Sequence, residues 1–216
     1  DEDSGSAQKA LAIHINPSVT ILTTSLTEWT VSRPYSTQLQ ATGGTGALFW
    51  LDKYGELASK GLTFSPSGQL SGTPTATGTI SFTAQVNDQI GDSKERAYTI
   101  PINPEVAITS SSLPDGLRGE LYSHQLIATG GTGAKTWSDK DSGLGGSGLA
   151  LSTSGLLAGT PATSGQISFT VEVTDIAGSR NEKPLSFFIY VCGDADGSAG
   201  LVDISDAVHL LAYIFS

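Results

Sequence analysis

Apolar and polar residues alternate along most of this chain in short runs separated by glycine, proline and serine. The clearest run is Thr79 to Asn87, where Ile80, Phe82, Ala84 and Val86 fall on one side and Ser81, Thr83 and Gln85 on the other. Successive side chains of a strand point to opposite faces, so this pattern predicts a half-buried strand that sends four residues into a core. Ile167, Phe169, Val171 and Val173 repeat it further on. Val19 to Leu22 predicts an opening strand, and Tyr35 to Ala41 a second one with Tyr35, Thr37, Leu39 and Ala41 on one face. Gly43-Gly44-Thr45-Gly46, Pro66-Ser67-Gly68 and Gly72-Thr73-Pro74 supply turns between them. Helical spacing is met only near the C-terminus, where Ile204, Ala207, Val208, Leu211 and Ile214 line one face. Short strands, regular turns and so little helix predict an all-β fold of antiparallel sandwiches.

The pattern occurs twice. Tyr35-Ser-Thr-Gln-Leu-Gln-Ala-Thr-Gly-Gly-Thr-Gly-Ala-Leu-Phe-Trp50 returns, 87 residues on, as Tyr122-Ser-His-Gln-Leu-Ile-Ala-Thr-Gly-Gly-Thr-Gly-Ala-Lys-Thr-Trp137. That offset holds without a gap from Ser25-Leu26 against Ser112-Leu113 to Asp88 against Asp175. A fixed long period marks tandem modules. The 216 residues therefore divide into an unmatched segment 1–17, modules at 18–104 and 105–191, and a tail at 192–216. Each module is large enough to bury one modest core. The junctions Asn16-Pro17 and Asn103-Pro104 are short and proline-stiffened, which predicts neighbouring modules set end to end.

The unmatched segment has its own pattern. Leu11, Ile13 and Ile15 alternate with Ala10, Ala12 and His14, and the same offset places them on Tyr98, Ile100 and Ile102 and then on Leu185, Phe187 and Ile189. Residues 10–15 thus copy a module's final strand without the module before it. A lone strand with an apolar face needs a sheet to join. Two origins stay open: a remnant of an upstream module, or a strand donated to a neighbouring subunit by β-augmentation.

Composition narrows the partners. A formal net charge of -10 argues against nucleic acid and anionic membrane surfaces, and suits a soluble surface protein or one whose carboxylates meet a cation. There is no Met, even at position 1, so the chain is expected to be a processed or trimmed product from which a secretory signal has been removed. No apolar run approaches the length of a membrane span. The single Cys192 has no partner within the chain, so it is a free thiol or bridges elsewhere.

Several signals point away from catalysis. Both Gly-Gly-Thr-Gly loops lie between strands with no helix start and no Gly-Lys-Ser/Thr to follow, so they read as turns rather than phosphate loops. His14, His124 and His209 fall in three different pieces and form no ligand cluster by spacing. Trp50 and Trp137 occupy equivalent places and are expected in the core rather than on a sugar platform. Asp88 and Asp175 end matching strands, where aspartate orders a turn by bonding the backbone, a junctional cation site being the weaker alternative.

The tail carries a different chemistry. Asp194, Asp196 and Ser198 alternate in a glycine-rich loop, followed by Asp203 and Asp206, an arrangement that offers several oxygen ligands to a hard cation such as Ca2+. Asp206 stands in the first turn of the expected amphipathic helix. A solvated acidic turn that caps this helix through Asp203 or Asp206 is the other reading.

The modules share Tyr-Ser-x-Gln-Leu-x-Ala-Thr-Gly-Gly-Thr-Gly, then Trp, Ser-Gly-x-Leu-x-Gly-Thr-Pro and a closing Phe-Thr-x-x-Val-x-Asp. This pattern resembles the immunoglobulin-like, cadherin-like modules of bacterial cell-surface proteins, which serve as spacers and adhesive units and carry no catalytic residues. The tail resembles one repeat of a type I dockerin. That resemblance makes Asp194, Asp196 and Ser198 early side-chain ligands of Ca2+, Leu201 a carbonyl ligand, Asp203 a later ligand and Asp206 the closing bidentate carboxylate, and it implies a cohesin-like partner.

The expectation is a secreted, non-enzymatic surface protein of two tandem immunoglobulin-like sandwiches with a calcium-binding tail. It would associate with copies of itself, through the N-terminal strand and the tail, into a filament or scaffold. The alternative is a spacer and anchoring region of a larger secreted carbohydrate-active enzyme, directed to polysaccharide.

Overall fold

The computed structural model describes residues 9–191. The first repeat contributes β1 (Thr20–Ile21), β2 (Trp29–Thr30), β3 (Tyr35–Gln38), β4 (Ala41–Thr42), β5 (Phe49–Asp52), β6 (Leu62–Phe64), β7 (Gln69–Gly72), β8 (Gly78–Asn87) and β9 (Ser93–Asn103). A single 3-10 turn at Ala58–Lys60 precedes β6. The second contributes β10 (Ala107–Ile108), β11 (Gly116–Leu117), β12 (Tyr122–Gln125), β13 (Ala128–Thr129), β14 (Thr136–Asp139), β15 (Leu149–Leu151), β16 (Leu156–Gly159), β17 (Gly165–Thr174) and β18 (Arg180–Tyr190). The described residues are all-β, and the two repeats match strand for strand.

Each repeat is a sandwich of a four-stranded and a three-stranded sheet. The orders are β2-β9-β8-β5 and β3-β7-β6 in the first, β11-β18-β17-β14 and β12-β16-β15 in the second, each with a small extra pair, β1-β4 or β10-β13. The long hairpin β17-β18 sets the register of the second repeat, from Gly165 opposite Ile189 to Thr174 opposite Arg180. The pairs β1-β4, β5-β8, β6-β7, β10-β13, β12-β16, β14-β17, β15-β16 and β17-β18 are antiparallel, whereas β2 runs parallel to β9, with Trp29 opposite Ile102 and Thr30 opposite Asn103, and β11 runs parallel to β18.

The period-two pattern puts the core where alternation predicts it. Ile80, Phe82, Ala84 and Val86 of β8 are buried, as are Ile167, Phe169, Val171 and Val173 of β17. Tyr98, Ile100 and Ile102 of β9 face the same way, and Leu185, Phe187 and Ile189 of β18 join Trp137, Leu126 and Leu157 in one core cluster. Trp50 and Trp137 are both buried, so neither forms an exposed sugar platform.

The described residues form two compact units, and their division does not follow the repeat boundary. One takes in residues up to Leu26, Ser36–Gly72 and Ile80–Thr99; the other takes in Thr27–Tyr35, Thr73–Thr79 and the chain from Ile100. Strand β2 and the end of β9 thus belong to the second unit.

One strand expectation is corrected. Tyr35 to Ala41 is not one strand: β3 and β4 belong to different sheets, because the Leu39 amide donates to the Gly68 carbonyl and the Gln40 amide turns aside to the Thr23 hydroxyl. Residues 9–17 form no strand, and Leu11, Ile13 and Ile15 are 83%, 87% and 85% exposed. Alternation fixes which face of a segment is apolar, but a strand exists only where a neighbouring edge completes its ladder.

Candidate functional site

The calcium ligands expected from the sequence, Asp194, Asp196, Ser198, Leu201, Asp203 and Asp206, lie outside the described residues, as does Cys192. Among the described residues no group of three or more His, Cys, Asp or Glu side chains is placed to hold a metal ion. The shallow hollow lined by Asp141, Ser168, Thr170, Pro184 and Ser186 offers a single carboxylate. That carboxylate is held down to about 2 by the Thr170 hydroxyl and amide and by the Gly143 amide, so it stays ionised and already bonded.

The most deeply buried carboxylate among the described residues is at the end of β17. Asp175 follows the last residue of that strand, where the chain must turn back into β18, and its Oδ1 accepts the Ser179 amide at 2.7 Å. Its Oδ2 accepts the Thr132 amide at 2.8 Å from the Gly130-Gly131-Thr132-Gly133 loop. Glycine is needed at 131 because the backbone there is left-handed, with φ of 69°, and because a Cβ would sit 3.0 Å from the Asp175 Cβ. The repeated loop is therefore a fitting that brings an amide onto a carboxylate, which the sequence disclosed only as a turn.

A hydroxyl from β2 completes the arrangement. Thr30 Oγ1 donates to Asp175 Oδ2 at 2.6 Å and lies 2.8 Å from Thr132 Oγ1. An ionised carboxylate only accepts, so the Thr30 hydrogen goes to Asp175 and the Thr132 hydroxyl donates to Thr30. Asn103 Nδ2 in turn donates to Thr132 Oγ1 at 3.3 Å and to Glu28 Oε2 at 3.1 Å. The result is a directed relay from Asn103 through Thr132 and Thr30 to Asp175. Thr30 is 0% exposed, Thr132 2% and Asp175 5%. Burial opposes ionisation of Asp175, yet the hydroxyl of Thr30 and the amides of Thr132, Ser179 and Ala177 outweigh it and hold the carboxyl below its ordinary 3.8. Such a carboxylate is saturated with donors, which suits it to fixing a strand in place and not to proton transfer at neutral pH.

The first repeat carries most of the same site. The Thr45 amide donates to Asp88 Oδ2 at 2.8 Å, and the Ile90 and Asp92 amides to Oδ1 at 3.0 and 2.8 Å. Asn16 Nδ2 donates to Thr45 Oγ1 at 3.1 Å, as Asn103 does to Thr132. The Gly44 amide donates to the Pro17 carbonyl at 2.7 Å, as the Gly131 amide does to Pro104 at 2.8 Å. The Thr45 amide, followed by those of Asp92, Ile90 and Gly91, holds the Asp88 carboxyl below its ordinary value against its partial desolvation. The two aspartates order turns, as the sequence led one to expect; the hydroxyl relay has no signal in either repeat alone, because Thr30 sits 145 residues from Asp175.

The family model described as "Putative Ig domain" matches the chain twice, over residues 17–103 and 105–189. No curated protein matches the sequence. Among solved structures, an I-band fragment of titin, I67–I69, is similar at 11% identity and a TM-score of 0.47, with 81% of this chain and 66% of that one covered. Extracellular domains 3–5 of Drosophila OTK align at 12% identity and a TM-score of 0.40, covering 80% of this chain and 62% of that one. Immunoglobulin domains 1–4 of Sidekick-1 align at 15% identity and 0.39, covering 83% and 51%. The chain spans less than two thirds of the length of each of these.

Proposed function

The chain belongs to this family of immunoglobulin-like domains through both of its repeats, and on that premise we propose that it is a non-enzymatic, extracellular structural or adhesive protein that assembles end to end. Tandem immunoglobulin-like domains are typical of extracellular adhesive or structural proteins and are generally non-enzymatic. Among the described residues no helix is long and apolar enough to cross a membrane. The observation that carries the assembly reading is the exposure of Leu11, Ile13 and Ile15, three large apolar side chains at strand spacing, in a segment that repeats the sequence pattern of β9 and β18. Apolar rows of this kind are stable in water only when another sheet covers them. The tail would contribute by ordering around Ca2+ through Asp194, Asp196, Ser198, the Leu201 carbonyl, Asp203 and Asp206, and it is the segment that a cohesin-like or other surface partner would meet.

Light scattering and electron microscopy on the intact chain and on one lacking residues 1–16, each with and without Ca2+, test this reading. Ordered, Ca2+-dependent fibres from the intact chain alone are the expected result. Monomers under all four conditions would contradict it. Retention of a monomer on immobilised polysaccharide would instead support the second reading, prompted by the dockerin-like sequence of the tail: a spacer and anchoring region of a larger secreted carbohydrate-active enzyme.

A further inference from the structure

The Asp88 end of the first repeat repeats the contacts of the Asp175 site without the Thr30 hydroxyl, and with Asp92, which accepts the Val19 amide, where the second repeat has Ser179, which accepts that of Val106. Asn16, Thr45 and Asp88 stand where Asn103, Thr132 and Asp175 stand, with the same three contacts: side-chain amide to threonine hydroxyl, threonine amide to carboxylate, and glycine amide to proline carbonyl. In the second unit the missing part comes from β2, which runs parallel to the end of β9 and sets Thr30 opposite Asn103. Asn16 occupies the place of Asn103, and Ile15, 85% exposed, that of Ile102. A strand laid parallel to Ile15-Asn16 in that register would bring its side chain between Thr45 Oγ1 and Asp88 Oδ2. Thr45 is half-buried where Thr132 is buried.

We propose that the Asn16–Thr45–Asp88 end of the first repeat is a docking site for a further immunoglobulin-like repeat, one that presents a threonine hydroxyl from a short strand parallel to Ile15-Asn16. The hydroxyl donates to Asp88 Oδ2 and accepts from Thr45, which completes the relay that Asn16 begins. Neither repeat described here supplies that group: Thr30 is buried against Asp175, and the second repeat has Leu117 and Tyr190 where the first has Thr30 and Asn103. Recognition is therefore directional. This inference deepens the assembly reading by naming the chemistry of the partner, and its test in a single chain does not depend on assembly.

The test inserts a copy of residues 18–104 between Pro17 and Ser18 of the full chain, so that the copy's Thr30 and its Asn103, in the place of Asn16, face Asp88 and Thr45 of the original repeat, where exchange is read, and compares it with the same chain carrying Thr30→Val or Thr30→Ser in the copy alone. The readout is amide hydrogen exchange at Thr45. Because a completed relay adds a charge-assisted hydrogen bond, exchange at Thr45 should slow about tenfold with threonine or serine in the copy and return to the rate of the uninserted chain with valine. Equal rates for the threonine and valine copies would overturn the proposal. A second measurement needs no insertion: Thr30→Val in the ordinary chain should speed exchange at Thr132 by a similar factor, and an unchanged rate there would show that the hydroxyl holds nothing and would overturn it equally.

Discussion

Asp88 and Asp175 end the same strand in two copies of one fold, accept the same loop amide at the same 2.8 Å, and differ in what reaches them from outside the loop. Asp175 receives Thr30 from β2 and its threonine neighbour is buried; Asp88 receives backbone amides only and its threonine neighbour stays half-exposed. The difference teaches that the carboxylate and its glycine loop are a socket built by each repeat for itself. What turns the socket into a joint is a single hydroxyl delivered by a neighbouring strand. Inside a low-dielectric site each link of the relay from Asn103 to Asp175 polarises the next, so the joint is stronger than its separate bonds and the loss of one member strands the others.

That contrast can be broken first at its anchor. Asp175→Ala should destabilise the second unit by about 3 kcal/mol, since it leaves the Thr30 hydroxyl and two buried amides without an acceptor, and denaturant melts would read it directly. Asp88→Ala should cost less, because water reaches the half-exposed Thr45 side. Equal losses would mean that the socket alone carries the stability.

Removing only the delivered hydroxyl sharpens the comparison. Thr30→Val keeps the shape of the side chain and should cost about 1–2 kcal/mol in the unfolding of the second unit. Gly131→Ala should cost a similar amount, about 1–2 kcal/mol, by forcing a side chain into left-handed backbone against Asp175.

Acid offers a third probe. Asp175 has its carboxyl lowered on folding, so its contribution is present above the ordinary value of 3.8 and is lost as pH falls through the lower folded value. With Thr30→Val the folded value rises toward the ordinary one, so the stability that Asp175 loses to acid should be smaller and confined to a narrower range below 3.8. An unshifted acid transition measured by circular dichroism would remove Thr30 from the electrostatics of the site. The smallest effect is expected at the repeated surface ion pair. Lys140, which pairs with Glu182 as Lys53 does with Glu95, should change stability by less than about 0.5 kcal/mol on mutation to alanine.

The sequence made the sandwiches legible because period-two alternation and an 87-residue repeat report on burial directly: alternation alone assigns Ile80, Phe82, Ala84 and Val86 to the core, where they are buried. It was silent on the short strands β2 and β11, since two residues such as Trp29-Thr30 carry no period. It misread Tyr35 to Ala41 as continuous because alternation persists through the point where the chain changes sheets. It announced Asp88 and Asp175 as turn residues but could not join Thr30 to Asp175, because a polar contact across 145 residues depends on which strand lies beside β9 and leaves no local trace.

The most direct measurement is amide hydrogen exchange, by NMR, at Thr45 and Thr132 of the same intact chain. Both amides donate to an aspartate at 2.8 Å, so the immediate acceptor is the same for the two, and repeating the measurement with Thr30→Val isolates the part of any difference that the relay supplies. Thr132 should exchange about tenfold or more slowly than Thr45. Matching rates would contradict the claim that the hydroxyl from β2 separates the two ends.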